Sequence, residues 1–581
     1  MGLGAGAVTD LAFSRFCNKN NKNTDRGGEN LKEENEICLH LNDALYNAGL
    51  VGLIRVLEEM DEFNIDGPCF RYDEKGSSVI VRKTAFSKKF TDAYVDVLLQ
   101  HYGSNTMYMQ LVAALENIQN ADRKNRNFQD NLKKCVQQLG KTIKRPSYKS
   151  GFEILEKYYG IGYDFIGTAD IIKTEKEPEK QLKMIEEITR EFKNDEVQHV
   201  LELKDITYTQ VQNYWNGISF LHKSKNKEPL EKAFTSYFIE AIWNEKPRKK
   251  KKSIQCFQCG RDLPARSPSM AWVNQTMPDI KRKTDSFWNY NPDFYLCPYC
   301  SLVYACIPIG FTSFASEGIF VNDNRSIRCL MSANNFDNVS DELKRDPFAV
   351  IINRFALNTR EKQAQNLTQN IQVIRNSHGN YQVNTLTADM LNAFIALKPV
   401  LQKLLKANPY LFHKTLEYVL NSRELYGFLT LEYRKALKEG QRFNIYSLIL
   451  EVQIEMFGRK KGNDMINSRM DKKAKAYKAG QALRENVERV DQNGKSRANS
   501  KRLVGVTYHL LNALQSGNSQ LFMNTVERRY LSLGLDIPSI FLDAIGNDEL
   551  MQIIGHAFVQ GLNSSESNVA NNKIESRVKQ V

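Results

Sequence analysis

QCFQCG at residues 255–260 and LCPYC at residues 296–300 decide how the middle of this chain folds. Each is a C-x-x-C turn, pairing Cys256 with Cys259 and Cys297 with Cys300. Such a turn lets two thiolates grip one metal ion from a tight loop. Two turns complete a tetrahedral shell of four sulfurs, the geometry of structural Zn2+. Gly260 can supply the positive φ that such a turn often needs. Four thiolates leave no open coordination position, so the expected metal is structural rather than catalytic. An iron–sulfur cluster also accepts four thiolates and remains an alternative. A thioredoxin-like redox unit uses one C-x-x-C and has no place for a second. The loop between the pairs is long and can carry a function of its own. It holds Trp272, Trp288, Tyr290 and the basic triplet Lys281, Arg282 and Lys283.

Outward from this segment, the chain has 581 residues, 42% hydrophobic and 25% charged. That is the composition of a globular protein, not a disordered one, and the length predicts two to four domains at roughly 100–200 residues each. The net charge is +13 and the pI about 9.0. A basic balance of this size points to a polyanionic partner, because clustered Lys and Arg release counterions from phosphates. The other six cysteines (Cys17, Cys38, Cys69, Cys135, Cys306 and Cys329) show no pairing pattern, as expected of buried thiols in a reducing compartment. The first residues, MGLGAGAVTDLAFSRF, lack the basic and apolar regions of a secretory signal, and Gly6 breaks the myristoylation pattern. No apolar run reaches the roughly 20 residues of a membrane span. The expected location is cytoplasmic, with no membrane partner.

N-terminal to the cysteines, residues 18–35 are polar and Asn-rich and read as a loop. Residues 41–60, LNDALYNAGLVGLIRVLEEM, repeat apolar side chains at helical spacing, with Asn42 or Asp43 as the cap. Gly49 and Gly52 inside that helix predict close packing against another backbone. CFRY and SVIVR flank DEKG at 67–83 and predict a hairpin. Helical patterns follow from about 88 to 140. Residues 173–195 are densely charged, a solvated helix or linker, and the aromatic-rich 209–222 reads as core.

The expected fold class is α+β: a mixed N-terminal region with an inserted zinc-binding module, followed by a mainly helical C-terminal bundle. The expected domains are 1–245 (α+β), 246–320 (zinc-binding insert), 321–460 (helical middle region) and 461–581 (C-terminal helical bundle).

Two basic regions are candidates for phosphate contact. One is KPRKKKK at 246–252, with Arg248, Lys249, Lys250, Lys251 and Lys252. The other follows Arg469 and includes Lys472, Lys473, Lys475, Lys478, Arg484, Lys495, Arg497, Lys501 and Arg502. There Ala474, Ala476, Ala479, Gly480 and Ala482 are small enough for close approach to a backbone. Charge without base-reading motifs implies contact to phosphates more than sequence readout. Catalytic signatures are lacking. None of the eight histidines sits in H-E-x-x-H, and no P-loop or G-x-S-x-G occurs. The expectation is a protein without enzymatic activity.

Five segments in order carry a resemblance: LYNAGLVGLIRVLE at 45–58, VQNYWNGISFLHK at 211–223, QCFQCG with LCPYC, LTQNIQVIRN at 367–376 followed by Tyr381, and IIGHAFVQGL at 553–562. Together they resemble the large subunit of a type I-B CRISPR interference (Cascade) complex. The resemblance implies a guide RNA, target double-stranded DNA, the backbone, guide-handle-binding and small subunits, and a helicase–nuclease as partners. It implies recognition of a protospacer-adjacent motif, duplex opening and binding of the displaced strand. Guide pairing would supply sequence specificity and protein would supply motif reading. In related systems the C-terminal bundle resembles the small subunit, and Met465 and Met470 are candidate internal starts for it. The Lys281–Lys283 loop and the Asn-rich 18–30 loop are candidates for motif reading. Alternatives are the same subunit in a transposon-associated complex, a zinc-bearing DNA-processing enzyme, or an interaction protein whose basic face meets an acidic one.

Overall fold

A computed structural model describes residues 35–62, 67–123, 126–218, 227–244, 255–263, 267, 269–273, 294–314, 317–335, 371–458, 463–492 and 496–564. The fold class is α+β, helices with two small antiparallel sheets. The described residues up to 335 and Ile371–Val383 form one compact unit, and those from Asn384 onward form a second.

The first unit opens with β1 (Glu36–His40) and α1 (Ala44–Glu62). Asp43 Oδ1 accepts the amides of Leu45 and Tyr46, both at 3.0 Å, and so starts α1. The helix is buried almost all round from Tyr46 to Leu57, as an apolar helix in the middle of a core must be. The expected hairpin forms from β2 (Phe70–Tyr72) and β3 (Ser78–Arg82), with β3 between β1 and β2. Gly76 turns it at φ +67.

Helices α2 (Lys88–Tyr102), α3 (Met107–Gln119), α4 (Phe128–Ile143), α5 (Pro146–Ile154), α6 (Phe165–Thr174), α7 (Pro178–Phe192) and α8 (Asp195–Thr209) follow. α3 to α8 enclose a core of their own around Leu111, Leu139, Tyr148, Ile188 and Phe192. The charged 173–195 stretch is thus mostly α7, whose Ile185, Ile188 and Phe192 are buried. Of the aromatics expected in the core, Tyr214 and Trp215 are buried against α1's own cluster, and Phe220 lies outside the described residues. Short α9 (Leu230–Phe234) and α10 (Glu240–Trp243) complete the stretch before the cysteines.

Beyond the cysteines come α11 (Pro298–Ala305), α12 (Ile307–Gly310), β4 (Thr312–Phe314), β5 (Glu317–Asn322) and α13 (Ile327–Ala333). The sequence reading made 321–460 largely helical. Most of the described part of that region is helical, but within it β6 (Ile371–Ser377) and β7 (Asn380–Leu386) form a hairpin in the sheet order β4-β5-β6-β7. Ile371 and Val373 point inward with a period of two, and β6 pairs with β5 from Glu317↔Ser377 to Asn322↔Gln372. His378 and Gly379 both take positive φ, the conformation of a tight two-residue turn.

The second unit is helical: α14 (Ala388–Ala407), α15 (Pro409–Leu420), α16 (Tyr426–Glu439), α17 (Tyr446–Gly458), α18 (Asn463–Gln492), α19 (Ser496–Ser516), α20 (Ser519–Leu531) and α21 (Asp548–Leu562). α18 and α21 cross backbone on backbone. A Cβ on Gly480 would lie 2.2 Å from Phe558 O, and one on Gly561 would lie 2.1 Å from Tyr477 O. Ala476 and Ala479 are buried in the same crossing. Ala476, Ala479 and Gly480 therefore serve helix packing within the bundle rather than approach of an external backbone, while Ala474 and Ala482 are exposed.

His556 on α21 is fully buried, with Nδ1 2.8 Å from Gln552 O and Nε2 3.2 Å from Thr430 Oγ1. Burial lowers its pKa to about 4. The unfolded ring protonates near pH 6.5. The stability tied to the neutral ring is full above that value and is lost as pH falls from about 6.5 towards about 4. Between pH 7 and pH 4.5, His556→Gln should flatten the pH dependence of unfolding by about 2–3 kcal/mol. Urea titrations at the two pH values measure this, and parallel curves for variant and parent would refute it.

Candidate metal centre

The first cysteine pair sits on a knuckle. Cys256 N donates to Arg261 O at 2.7 Å, Gly260 N donates to Cys256 O at 2.9 Å, and Gly260 holds φ +70 as its turn requires. The second pair opens a helix. Cys297 is the N-cap of α11, Pro298 takes the first helical position, and Cys300 N donates to Cys297 Sγ at 3.4 Å. Proline there loses no hydrogen bond, and the positive end of the helix favours thiolate over thiol. The two turns are tied by Phe257 N donating to Tyr295 O at 2.9 Å and Cys297 N donating to Cys256 Sγ at 3.2 Å.

The four sulfurs all lie within 4.8 Å of one another. Cys259 Sγ and Cys297 Sγ are 3.6 Å apart, too far for a disulfide, whose sulfurs sit at about 2.05 Å. Four sulfurs at about 2.3 Å from one zinc ion would stand about 3.8 Å apart. The cage therefore fits one four-coordinate ion and leaves no room for the several metals of a cluster. Among the described residues these are the one group of three or more His, Cys, Asp and Glu side chains close enough to share a metal.

Thiols packed this closely cannot all ionise unaided. Contacts from Cys259, Cys297 and Cys300 hold the Cys256 thiol well below the usual thiol range, and the same contacts push Cys297 and Cys300 up. A divalent cation resolves the conflict, because it deprotonates the thiols that bind it.

Residues on α1, on the segment just before it and beside the cysteine turns surround the cage, and motif spacing does not reveal them. Tyr46 OH is 3.8 Å from Cys300 Sγ. Asp43, already the cap of α1, accepts the Tyr304 hydroxyl on Oδ2 at 2.9 Å. Asn42 Nδ2 donates to Gln258 O at 3.2 Å. Arg261 donates to Cys38 O at 3.2 Å and stacks over the Tyr299 ring. Its pKa is raised, despite burial, by the Cys259 and Cys297 sulfurs, so a positive charge stands beside the thiolates. Cys256, Cys297 and Cys300 belong to the same hydrophobic core as α1 and the first sheet. The described part of the metal module packs on the N-terminal core, with α1 lying directly on α11 and α12.

The basic candidates divide. Arg248, Lys249, Lys250, Lys251, Lys252, Lys281, Arg282, Lys283 and Lys495 lie outside the described residues, as does the 18–30 loop, and the side chains of Arg497, Lys501 and Arg502 are likewise not described. On α18 the structure removes several cations from the surface. Lys473 is 7% exposed and pairs with Glu451 at 2.5 Å. Arg469 is 4% exposed and pairs with Glu549 at 2.6 Å. Lys472 pairs with Asp543, and Arg484 with Glu488 at 2.7 Å and with Ser564 O. Lys475 and Lys478 remain exposed, Lys475 beside Asp471 at 2.7 Å. Lys473 is therefore withdrawn as a phosphate contact, because its ammonium is committed to a carboxylate inside the bundle.

Residues 249–312 match the model of a family described as CRISPR-associated protein (Cas_CXXC_CXXC). The match indicates a CRISPR-associated protein. It spans both cysteine pairs together with α11 and α12, the helices that carry the second pair onto α1. No curated protein and no solved structure matches the chain. No described helix is long and apolar enough to cross a membrane.

Proposed function

We propose that the chain is the non-catalytic large subunit of a type I-B CRISPR interference complex, holding one structural zinc ion on Cys256, Cys259, Cys297 and Cys300. In this reading it binds guide RNA and target double-stranded DNA beside the backbone, guide-handle-binding and small subunits. It helps recognise the protospacer-adjacent motif, opens the duplex, holds the displaced strand and presents the target to a helicase–nuclease. The observation that carries the reading is the family match over the four cysteines. A closed four-thiolate shell has no position for substrate, which supports a structural metal. Two of the eight histidines, His101 and His556, serve packing. His101 is half-buried and His556 fully buried, each on a carbonyl partner, and desolvation lowers both to about 4.

The test is co-expression with the neighbouring genes, followed by purification and sequencing of bound RNA. Guide-length RNA and several partner proteins are expected to accompany the chain. A chain that purifies alone and RNA-free despite those genes would sink the proposal, and metal-dependent cleavage of DNA by it would put a DNA-processing enzyme in its place.

A further inference from the structure

Between residues 131 and 152 the chain carries Lys133, Lys134, Lys141, Lys144, Arg145 and Lys149 and no Asp or Glu. The cations are scattered singly or in pairs, so no dense run marks them in the sequence. The fold gathers them. α4 buries Leu132, Cys135, Val136, Leu139 and Ile143, which forces its lysines onto the opposite side. Lys133, Lys134, Lys141, Lys144 and Lys149 are all exposed. Lys144 meets Asp170 at 2.6 Å, and the Arg145 guanidinium turns back to Met107 Sδ. Among the described residues no carboxylate pairs with Lys133, Lys134, Lys141 or Lys149. This is the reverse of the start of α18, where Arg469, Lys472 and Lys473 are paired inside the bundle.

The geometry suits a regular polyanion. Lys134 and Lys141 are two helical turns apart on one face, about 10 Å along the axis. Exposed Gln137 and Gln138 stand between them as neutral donors. No described large hydrophobic side chain between 128 and 152 is exposed, so the face lacks the apolar centre of a protein interface. Charge and amide donors without an apolar centre match a phosphodiester backbone.

We propose that the solvent face of α4, continued by the start of α5, is a contact surface for the phosphate backbone of nucleic acid. The inference rests on the nucleic-acid-binding reading above and adds its location. The lysines grip charge, so binding through them is indifferent to base sequence.

The test uses the full chain, the variant K133Q/K134Q/K141Q and, for comparison, K475Q/K478Q. Fluorescence anisotropy is read with labelled single-stranded DNA, single-stranded RNA and a DNA duplex over a range of salt. The triple variant should bind about tenfold or more weakly, and its salt slope should fall by about 2–3, as expected for three lost phosphate contacts. K475Q/K478Q should stay within about twofold of the parent, since both lysines lie outside the proposed surface and Lys475 is already paired with Asp471. Unchanged melting of the triple variant shows that the fold is intact. If the parent binds and the triple variant binds equally well with the same slope, this surface is wrong while the nucleic-acid reading survives. If the parent binds none of the probes at low salt, both fall. If the triple substitution instead releases an acidic partner protein and leaves nucleic-acid affinity intact, the surface belongs to that protein and the proposal is overturned.

Discussion

Cys300→Ser is expected to unfold the N-terminal unit rather than weaken it locally. Cys256, Cys297 and Cys300 are each 2% exposed or less and sit in one core with α1. A structural zinc site contributes on the order of 10–16 kcal/mol of apparent binding energy, and whole domains are stable by only about 5–15 kcal/mol. Losing one ligand also leaves three sulfurs crowded in a core without a cation to hold them. The parent should carry one zinc ion per chain by elemental analysis. C300S should lose that metal, its near-UV circular dichroism and most of its solubility, and a strong chelator should do the same to the parent. Cys329→Ser, at a half-buried thiol outside the cage, should change stability by no more than about 0.5 kcal/mol. A metal-free C300S with native dichroism and melting would refute a structural role.

Gly52→Ala should destabilise the same unit by at least about 3 kcal/mol, against the helix propensity of the substitution. A Cβ at position 52 would lie 2.0 Å from Cys306 O, and one at Gly49 would lie 2.2 Å from Val303 O. On the opposite side, a Cβ at Gly310 would lie 1.9 Å from Ala48 O. The obstacles are backbone carbonyls, which cannot rotate away as a side chain can. α11 carries Cys300, so the displacement should also reduce zinc retention. Gly140 in α4 is the control, since a Cβ there meets nothing within 4 Å. Gly140→Ala should stabilise by about 0.5–1 kcal/mol, the ordinary gain of alanine in a helix. Urea midpoints separate the two. If both glycines respond alike, the close crossing of α1 with α11 and α12 is not what Gly52 is for.

The features readable in advance were those with a short period or a short spacing. α1 follows from its apolar repeat and from Asp43, and the β2–β3 hairpin from alternation around a glycine turn. The four cysteines follow from two tight turns, each of which presents both thiolates whatever the rest of the chain does. Gly49 and Gly52 announced a close crossing because glycine in a helix is costly unless something needs the room.

What lay beyond local pattern was long-range pairing. β6 joins β5 across some fifty residues, and a seven-residue strand carries too little pattern to name its partner. Charge behaved the same way. The sequence counts Arg469, Lys472 and Lys473 as one basic patch. Their fate depends on Glu549, Asp543 and Glu451, which lie 80, 71 and 22 residues away along the chain. A cation's availability is set by whether a carboxylate reaches it in the fold, and burial strengthens that pairing by removing competing water. The same physics works in reverse on α4, where Lys133, Lys134 and Lys141 look unremarkable in sequence. An apolar stripe turns all three outward, and among the described residues no acid meets them. Composition therefore settled that this chain is basic, and packing settled which of its charges face solvent.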